Sequence, residues 1–401
     1  MRASPPVSVL AERPDWSDLA PFQKTITRAD FLRLLDTVYA PGGAWKECIE
    51  VNRDAARIHQ PGERGADFRL EFAPNAAAAA PLPRYWTAPG ARKPVPGKPL
   101  AGYTIALDPG HLGGRWAKME ERWFQIGDAQ PVMEGDMVWI TARHLAERLT
   151  ALGANVQMVR NGSEPVTSER PRSLRSAAKA ELAREGIDHP NEHYEGPNDP
   201  LKSQTVQWQS ELLFYRISEI RARAQRINAK LQPDLVICLH CNAEEWGDPA
   251  HPTLTDKNHL HLLVNGNYHP GELGLADIRH EMLLKLLSRS ARVELPLSNR
   301  VAAALASATG LPPYEYHNGK ARVTESPYVW TRNLLANRLY RCPVVYCEPY
   351  VMNSQSVFDR VQLGDYAGLK PLDGVERKSL YREYADAVAE GVARYFAEQG
   401  K

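Results

Sequence analysis

Four polar residues stand at the ends of predicted strands or at the start of a predicted helix: His111, Glu134, His240 and Glu348. His111, His240 and Glu348 each follow a short apolar run, and Glu134 opens an amphipathic segment. In a parallel sheet, the carboxyl ends of the strands and the starts of the following helices lie along one edge, where the sites of α/β proteins form. The four side chains are therefore expected to converge, although they are far apart in the sequence.

The residue types in this set suggest hydrolytic chemistry. Two imidazoles and one carboxylate are a zinc ligand set of hydrolases, and they leave a fourth position open for water. Zinc lowers the pKa of that water toward neutrality and polarises the scissile carbonyl. A second carboxylate, not bound to metal, can take the proton of the water and pass it to the leaving amine. Burial of Glu348 at the end of an apolar strand is costly without a partner, and a nearby cation would offset that cost.

Each of these residues also has an ordinary structural explanation. A lone histidine at a strand end is commonly a hydrogen-bonded structural residue, the helix dipole alone favours Glu134, and Glu348 can pair with an arginine. Cys238 is an alternative ligand because it is two residues from His240 and shares its strand face, although one pleat deeper in the sheet. The combination at four element ends is more specific than any single residue, but by itself it leaves both a metal site and these structural explanations open.

The elements that must position these residues alternate between strands and helices. Strands are predicted at 103–107, 155–159, 235–239, 260–264 and 344–347. Helices are predicted at 134–152, near 212–231, at 299–309 and at 381–399. Such alternation implies an α/β domain with a largely parallel sheet.

A change of composition divides the chain into two predicted parts. Five alanines at 76–80 lead into a proline-rich stretch that includes Pro94, which favours a linker or an extended strap. We place the boundary near residue 98, so that residues 1–98 form an accessory region and residues 99–401 form the catalytic domain.

The accessory region contains one predicted helix and one predicted strand. Thr27 is expected to cap the helix, and residues 68–72 alternate as in a strand. The apolar face of the helix consists of Phe31, Leu34, Leu35 and Val38. The region carries no recognisable motif, so an accessory or packing role is expected.

Residues 161–210 do not follow the alternation. They are polar and contain several prolines, with one predicted helix at about 173–185. A connection of this length in a compact domain is a lid, a wall of a site, or a disordered segment.

Several stretches resemble zinc-dependent N-acetylmuramoyl-L-alanine amidases, which are peptidoglycan amidases. The opening motif is Leu107-Asp108-Pro109-Gly110-His111, and the strand before the second histidine continues into His240-Cys241-Asn242-Ala243. The other similar segments are 134–138, 145–149, Gly153-Ala154, Val156, Arg160, 223–228, 234–239 and 343–348, with Asn353 nearby. The matched order covers most of residues 103–365.

The resemblance implies roles for the four residues. His111, Glu134 and His240 would bind zinc, and Glu348 would be the catalytic carboxylate. The family cleaves the amide between N-acetylmuramic acid and L-alanine in cell wall degradation, with a twisted, mostly parallel sheet and helices on both faces. The chain departs from the family in the bulky stretch 115–124, in the long 161–210 insertion and in the region after Asn242, which puts substrate preference in doubt more than reaction type.

Composition excludes some other classes of function. Lys and Arg number 49 and Asp and Glu 48, and this balance argues against a nucleic-acid binder that relies on bulk charge. No apolar run is long enough for a membrane helix. The five cysteines do not form a disulfide framework and are expected to be buried thiols. Trp116, Trp123, Trp208 and Trp246 are ambiguous between sugar stacking and packing.

Three functions remain as hypotheses. The first is a zinc amidase acting on peptidoglycan or its soluble fragments. The second is a zinc amidohydrolase for another peptide or N-acyl amino acid, and the third is a cell-wall binding protein on an inactive amidase scaffold. Because peptidoglycan lies outside the inner membrane, a periplasmic or otherwise exported location is expected, although residues 1–6 show no signal peptide. A cytoplasmic role in recycling is the alternative, and any activator protein is unknown.

Overall fold

The fold is taken from a computed structural model that describes residues 7–60, 67–93, 95–372 and 374–400. Two sequence-based expectations lie outside these residues: the lack of a signal peptide at residues 1–6, and the part of the proline-rich stretch at Pro94.

The strands and helices are numbered in chain order. The strands are β1 (Ile49–Val51), β2 (Ala55–His59), β3 (Asp67–Glu71), β4 (Thr104–Pro109), β5 (Trp123–Phe124), β6 (Val132–Met133), β7 (Asn155–Met158), β8 (Leu235–Leu239), β9 (Leu260–Val264), β10 (Arg322–Val323), β11 (Val329–Thr331), β12 (Val344–Pro349), β13 (Lys370–Leu372) and β14 (Val375–Arg377). The α-helices are α1 (Arg28–Leu34), α2 (Glu134–Ala151), α3 (Arg175–Arg184), α4 (Val206–Leu212), α5 (Glu219–Gln225), α6 (Pro270–Leu273), α7 (Ala276–Leu287), α8 (Ala291–Thr309), α9 (Leu335–Leu339), α10 (Gln355–Gln362) and α11 (Leu380–Gln399).

A seven-stranded sheet forms the centre of the molecule, with strand order β10-β11-β9-β12-β8-β4-β7. The pairs β4–β7, β4–β8 and β8–β12 are parallel, whereas β9 runs antiparallel to β12. The carboxyl ends of β4, β8 and β12 therefore meet at one edge, and the amino-terminal end of β9 reaches the same edge. This arrangement confirms the predicted α/β class with a mostly parallel sheet.

The side chains of β8 show why this sheet is the core. Every residue from Leu235 to Leu239 is buried, and consecutive side chains of a strand point to opposite faces. Both faces of the sheet are therefore covered at β8, which explains the continuous apolar run in the sequence. Helix α11 packs between α2 and α8, and both of those helices contact the sheet.

Helix boundaries follow local signals in the sequence. Helix α2 begins at Glu134, as predicted, and the chain turns at Gly153 with a φ of +98° that favours glycine. Residues 206–231 are helical throughout, because π-helical turns at Leu213–Ser218 and Arg226–Leu231 extend α4 and α5. Within the described ranges, no helix has both the length and the apolar character that a membrane crossing requires.

The N-terminal region is more ordered than its sequence suggested. Thr27 caps α1 by accepting a hydrogen bond from the Asp30 amide at 3.2 Å, as predicted. The single predicted strand is one of three, in the antiparallel sheet β1-β2-β3. Its core includes Met282, Leu283 and Leu286 of α7, a helix that was not predicted. The boundary near residue 98 stays a prediction, but the buried contacts of this region extend well beyond it.

Residues 161–210 form a packed substructure. Helix α3 lies within the predicted 173–185 range. Its Ala178 and Leu182 join Leu174, Val206 and Phe214 in a small hydrophobic core. Because a disordered segment would have no such core, the segment is a folded part of the protein, and its role as a wall or a lid of the site stays a prediction.

Candidate metal centre and active site

The structure brings all four predicted site residues to one place. His111 follows β4, His240 follows β8, Glu348 lies in β12, and Glu134 is the first residue of α2. All four line a cavity of about 330 Å³ at the carboxyl edge of the parallel strands.

Two histidines and one carboxylate form the centre of this cavity. His111 Nε2 lies 3.4 Å from Glu134 Oε2, and His240 Nδ1 lies 3.1 Å from Glu134 Oε1. One ligand atom from each of the three residues lies within 4.8 Å of the other two. The spacing suits a donor set for one small cation.

Glu134 carries the clearest sign that a cation belongs here. It is 1% exposed, and the amide of Cys241 donates to its Oε1 at 3.1 Å. Its Oε2 is buried and, among the described residues, receives no hydrogen bond. Burial raises the pKa of this carboxyl, but the charges of His111, His240 and Arg122 outweigh burial and lower it to about 2. An ionised, buried carboxylate beside two imidazoles, whose Oε2 accepts no hydrogen bond from the described residues and contacts Arg122 only as an ion pair, fits zinc.

The His111 backbone is held in a conformation that non-glycine residues rarely adopt, with a φ of +44°. Arg160 donates to the carbonyl oxygens of Pro109 at 3.0 Å and of His111 at 2.7 Å. Arg223 donates to the Pro109 carbonyl at 2.9 Å and to Asp108 Oδ1 at 2.9 Å. Two buried arginines therefore fix the turn that presents the His111 ring.

A third carboxylate orients the ring of His111. Glu120 Oε1 lies 3.6 Å from His111 Nδ1, and Glu120 also accepts from the amides of Leu112 and Gly113. Burial raises the pKa of Glu120, but His111 and these amides lower it overall, so the group is ionised. A carboxylate on one imidazole nitrogen sets the tautomer that leaves the other nitrogen free for a metal.

Aromatic residues and a glycine position His240. Its ring stacks on Tyr346 with centroids 4.6 Å apart and planes 13° apart, and the Tyr384 hydroxyl donates to its carbonyl oxygen at 3.1 Å. On the other side, a Cβ at Gly110 would lie 2.0 Å from His240 Cε1. Only glycine leaves room for the ring at this position.

Glu348 is half-buried in the wall of the same cavity. Burial and the charge of Glu134 raise the pKa of its carboxyl to about 8, although Arg122, His111 and Arg332 oppose the shift. A metal cation bound beside Glu348 would add to the positive charge there and lower this raised pKa. Glu348 lines the same cavity as the three clustered donors but is not one of them.

Sequence reasoning missed Glu120 and Arg122, and assigned no separate role to Arg160. Arg122 Nε lies 3.1 Å from Glu134 Oε2. Both missed residues lie in a polar loop, where acidic and basic residues are common without a function. Arg160 had a signal in the sequence, because it follows a strand of the predicted sheet and belongs to the matched motifs. Glu120 had none, because only the folded loop distinguishes it from its neighbour Glu121.

The alternative ligand and the tryptophans have other surroundings. Cys238 is a buried free thiol whose Sγ lies 3.9 Å from Asp108 Oδ2, and it is not one of the three clustered donors. All five cysteines are buried and free, as expected. Among the described residues that line the cavity there is no tryptophan; Trp116 packs on Phe214, and Trp246 on Phe124.

Comparison with protein-family models and with curated proteins gives no match. Among solved structures, this chain is similar to the apo form of an N-acetylmuramyl-L-alanine amidase from Mycobacterium abscessus, at 17% identity and a TM-score of 0.37, over 74% of this chain and 99% of that one. An amidase of the same name from Mycobacterium smegmatis is 16% identical, with a TM-score of 0.38 over 75% and 99% of the two chains. The CwlD amidase of Clostridioides difficile, in complex with the GerS lipoprotein, is 12% identical, with a TM-score of 0.39 over 74% and 100%. Their names match the class that the motifs resemble, but likeness at this level carries no argument about activity, which depends on the site itself.

Proposed function

We propose that this protein is a zinc-dependent hydrolase that cleaves the amide between N-acetylmuramic acid and L-alanine in peptidoglycan or its fragments. The observation that carries the proposal is the convergence of His111, Glu134 and His240, with donor atoms within 4.8 Å of one another, and with Glu348 in the same cavity. The ordered motifs that contain these residues supply the substrate class.

His111, Glu134 and His240 would hold the zinc ion. When bound, zinc supplies a Lewis acid that polarises the scissile carbonyl and acidifies water. Glu120 lies beside Nδ1 of the His111 ring, whose Nε2 faces Glu134, and Tyr346 holds the His240 ring by stacking on it. The chain thus holds both imidazoles before any metal arrives.

Glu348 would move the proton. A carboxylate oxygen of Glu348 accepts the proton of the attacking water and then donates it to the nitrogen of the leaving L-alanine. The leaving amine needs this proton because an amide nitrogen is not expelled as an anion. Arg122, paired with Glu134, keeps positive charge beside both carboxylates and so opposes repulsion between them.

A second substrate class has support from two segments outside the cavity. Asn198 of the 161–210 segment donates to Asp248 at 2.7 Å, so this segment reaches the remodelled loop that follows Asn242. Because both segments depart from the family that the motifs resemble, a soluble muropeptide, or another peptide or N-acyl amino acid, is the second candidate substrate. An inactive cell-wall binding protein is the less favoured function, because all four residues are present and converge.

The proposed substrate determines the proposed location. A hydrolase of peptidoglycan acts outside the inner membrane, so we expect a periplasmic or otherwise exported protein. A hydrolase restricted to soluble fragments would suit recycling in the cytoplasm, where the five free thiols would remain reduced.

The test combines metal analysis with product analysis. Zinc content is measured on the full chain after gentle purification, and purified sacculi and soluble muropeptides are digested and analysed by mass spectrometry. About one zinc per chain with released stem peptides that begin with L-alanine is the expected result. Zinc without cleavage of either substrate would favour other amides, and a chain that binds no zinc would refute the proposal and leave the binding protein as the better hypothesis.

A further inference from the structure

The cavity of the candidate active site extends past Glu348 to residues of the strands beyond β12. Glu348 pairs in register with His261 of β9, and β9 in turn pairs with β11. Arg332 directly follows β11 and lines the same cavity as Glu348. The three metal-ligand candidates lie on the other side of Glu348, on β4, β8 and α2. The cavity thus has a second side that the proposed reaction has not used.

Arg332 differs from the other buried or half-buried arginines of this cavity in its charge balance. Arg122 is paired with Glu134, and Arg223 is paired with Asp108 and Glu219. Within the described part of the chain, no carboxylate forms an ion pair within 4.0 Å of the half-buried Arg332 guanidinium, and the carboxylate whose pKa its charge lowers is Glu348 of the same cavity. A partly desolvated cation without a counter-ion is costly, so its position in a cavity wall favours a ligand that brings the counter-ion.

A neutral network holds this guanidinium in place. Arg332 Nη1 donates to the Tyr316 hydroxyl at 3.3 Å, and the same hydroxyl lies 3.0 Å from His261 Nε2. Burial lowers the pKa of His261 to about 3, so this ring is uncharged at neutral pH. Tyr316 and His261 therefore fix the position of Arg332 without neutralising it, which leaves the fork of the guanidinium free for a bidentate partner.

We propose that Arg332, positioned by Tyr316 and His261, is a specificity residue that binds a carboxylate on the peptide part of the substrate. The inference rests on the proposed function and names the recognition that the same cavity adds to it. Arg332 and Glu348 line the same cavity of about 330 Å³, so the guanidinium can reach a ligand that is bound beside Glu348. A carboxylate one residue beyond the scissile amide is within this reach.

Peptidoglycan chemistry offers two sources for such a carboxylate. The stem continues from L-alanine to a γ-linked D-glutamate, whose α-carboxylate is free, and a short stem ends in a terminal carboxylate. The α-carboxylate is the nearer of the two to the scissile bond. Many cell walls carry it as an amide instead, and a site that depends on Arg332 would discriminate against that neutral form.

The experiment uses four synthetic substrates. They are N-acetylmuramoyl-L-alanyl-γ-D-glutamyl-L-lysine, its α-amide, its terminal amide and the doubly amidated form. Rates are measured on the full chain purified with equimolar zinc, and binding of the corresponding sugar-free peptides is measured by calorimetry. We expect the α-amide to raise KM and the peptide Kd by about 10- to 100-fold with little change in kcat, because a charge-assisted hydrogen bond is lost. The terminal amide should have a smaller effect.

Variants assign the effect to the arginine. Arg332→Gln should bind the peptide with the free α-carboxylate as weakly as the wild-type protein binds the α-amide. Arg332→Lys should recover part of the preference for the free α-carboxylate. Tyr316→Phe removes the positioning hydroxyl and should reduce the preference while the ring stays packed. Arg322→Gln makes the same change at an exposed position in β10 and should keep the wild-type preference. Zinc content and thermal unfolding show whether each variant is folded.

The outcomes separate this inference from the proposed function. Cleavage of all four substrates at equal KM, or an unchanged acid preference in Arg332→Gln, overturns the subsite while the amidase function stands. Peptide binding that depends on the α-carboxylate and on Arg332, without cleavage, supports the subsite and refutes the amidase function. A preference set by the terminal carboxylate and lost in Arg332→Gln assigns the subsite to the other source. Absence of both binding and cleavage overturns both.

Discussion

Glu348 is the residue whose role is easiest to separate from metal binding. Glu348→Gln keeps the shape of the side chain and removes the carboxylate that would carry the proton. Because the three candidate ligands are unchanged, we expect zinc content to stay at the wild-type level while kcat falls by about 10²- to 10⁴-fold. Zinc analysis and a muropeptide assay measure the two quantities, and full activity in this variant would contradict the assigned role.

Gly110 tests how tightly the His240 ring is placed. A Cβ at residue 110 would lie 2.0 Å from His240 Cε1, so Gly110→Ala must displace the ring or the turn. We expect zinc affinity to fall by about 10- to 100-fold, as it does when a group that orients a metal ligand is lost. Gly271→Ala is the matched control, since nothing lies within 4 Å of a Cβ there. Equal zinc affinities in the two variants, measured by competition with a chelator, would refute this placement.

At the scale of elements, Arg160 joins the end of β4 to the segment after β7. Arg160→Met would leave the His111 carbonyl without its donor in a buried turn. We expect a loss of about 3 kcal/mol in the free energy of unfolding, together with weaker zinc binding. Arg143→Met, an exposed arginine of α2, should change neither quantity. Denaturant unfolding measures the loss of stability. A loss no larger than that of Arg143→Met would show that the turn does not depend on Arg160.

The packing of the 161–210 segment leads to a prediction about its local stability. Because Leu182 of α3 is fully buried in its own small core, amides of α3 should be protected from hydrogen exchange in the wild-type protein. Leu182→Ala should cost about 2–4 kcal/mol and speed exchange in α3, with little change in α11. Exchange followed by mass spectrometry tests this, and wild-type α3 amides that exchange within seconds would mean that the segment is not folded.

At the scale of the whole molecule, the N-terminal region and α7 share one hydrophobic core. Phe31, Leu35 and Tyr39 are buried there together with Met282 and Leu286. Deletion of residues 1–98 should therefore expose an apolar surface and produce an aggregating or dye-binding protein. Size-exclusion chromatography and a hydrophobic dye would measure this. A monomeric truncated protein with the melting temperature of the full chain would instead show that the region folds independently.

Two loop residues show where prediction from the sequence reached its limit. The strand ends that carry His111, His240 and Glu348 were predictable, because an apolar run that stops at a polar residue marks both the strand and its edge. Glu120 was not predictable, because its role depends on a loop that folds back to place its carboxylate 3.6 Å from His111. Arg332 was missed for a related reason: its lack of a counter-ion is a property of the surrounding space.

Local patterns in the sequence were enough to predict the α/β class, the main strands and the four candidate site residues, since periodicity and strand-end chemistry are local properties. The tertiary structure alone decided the order of the strands, the antiparallel placement of β9 that brings His261 beside Glu348, and the core shared between α7 and the N-terminal region. The physical reason is that pairing and burial depend on contacts between residues far apart in the chain, and an apolar segment does not specify its partner. The hydrophobicity of such a segment indicates only that it must be buried.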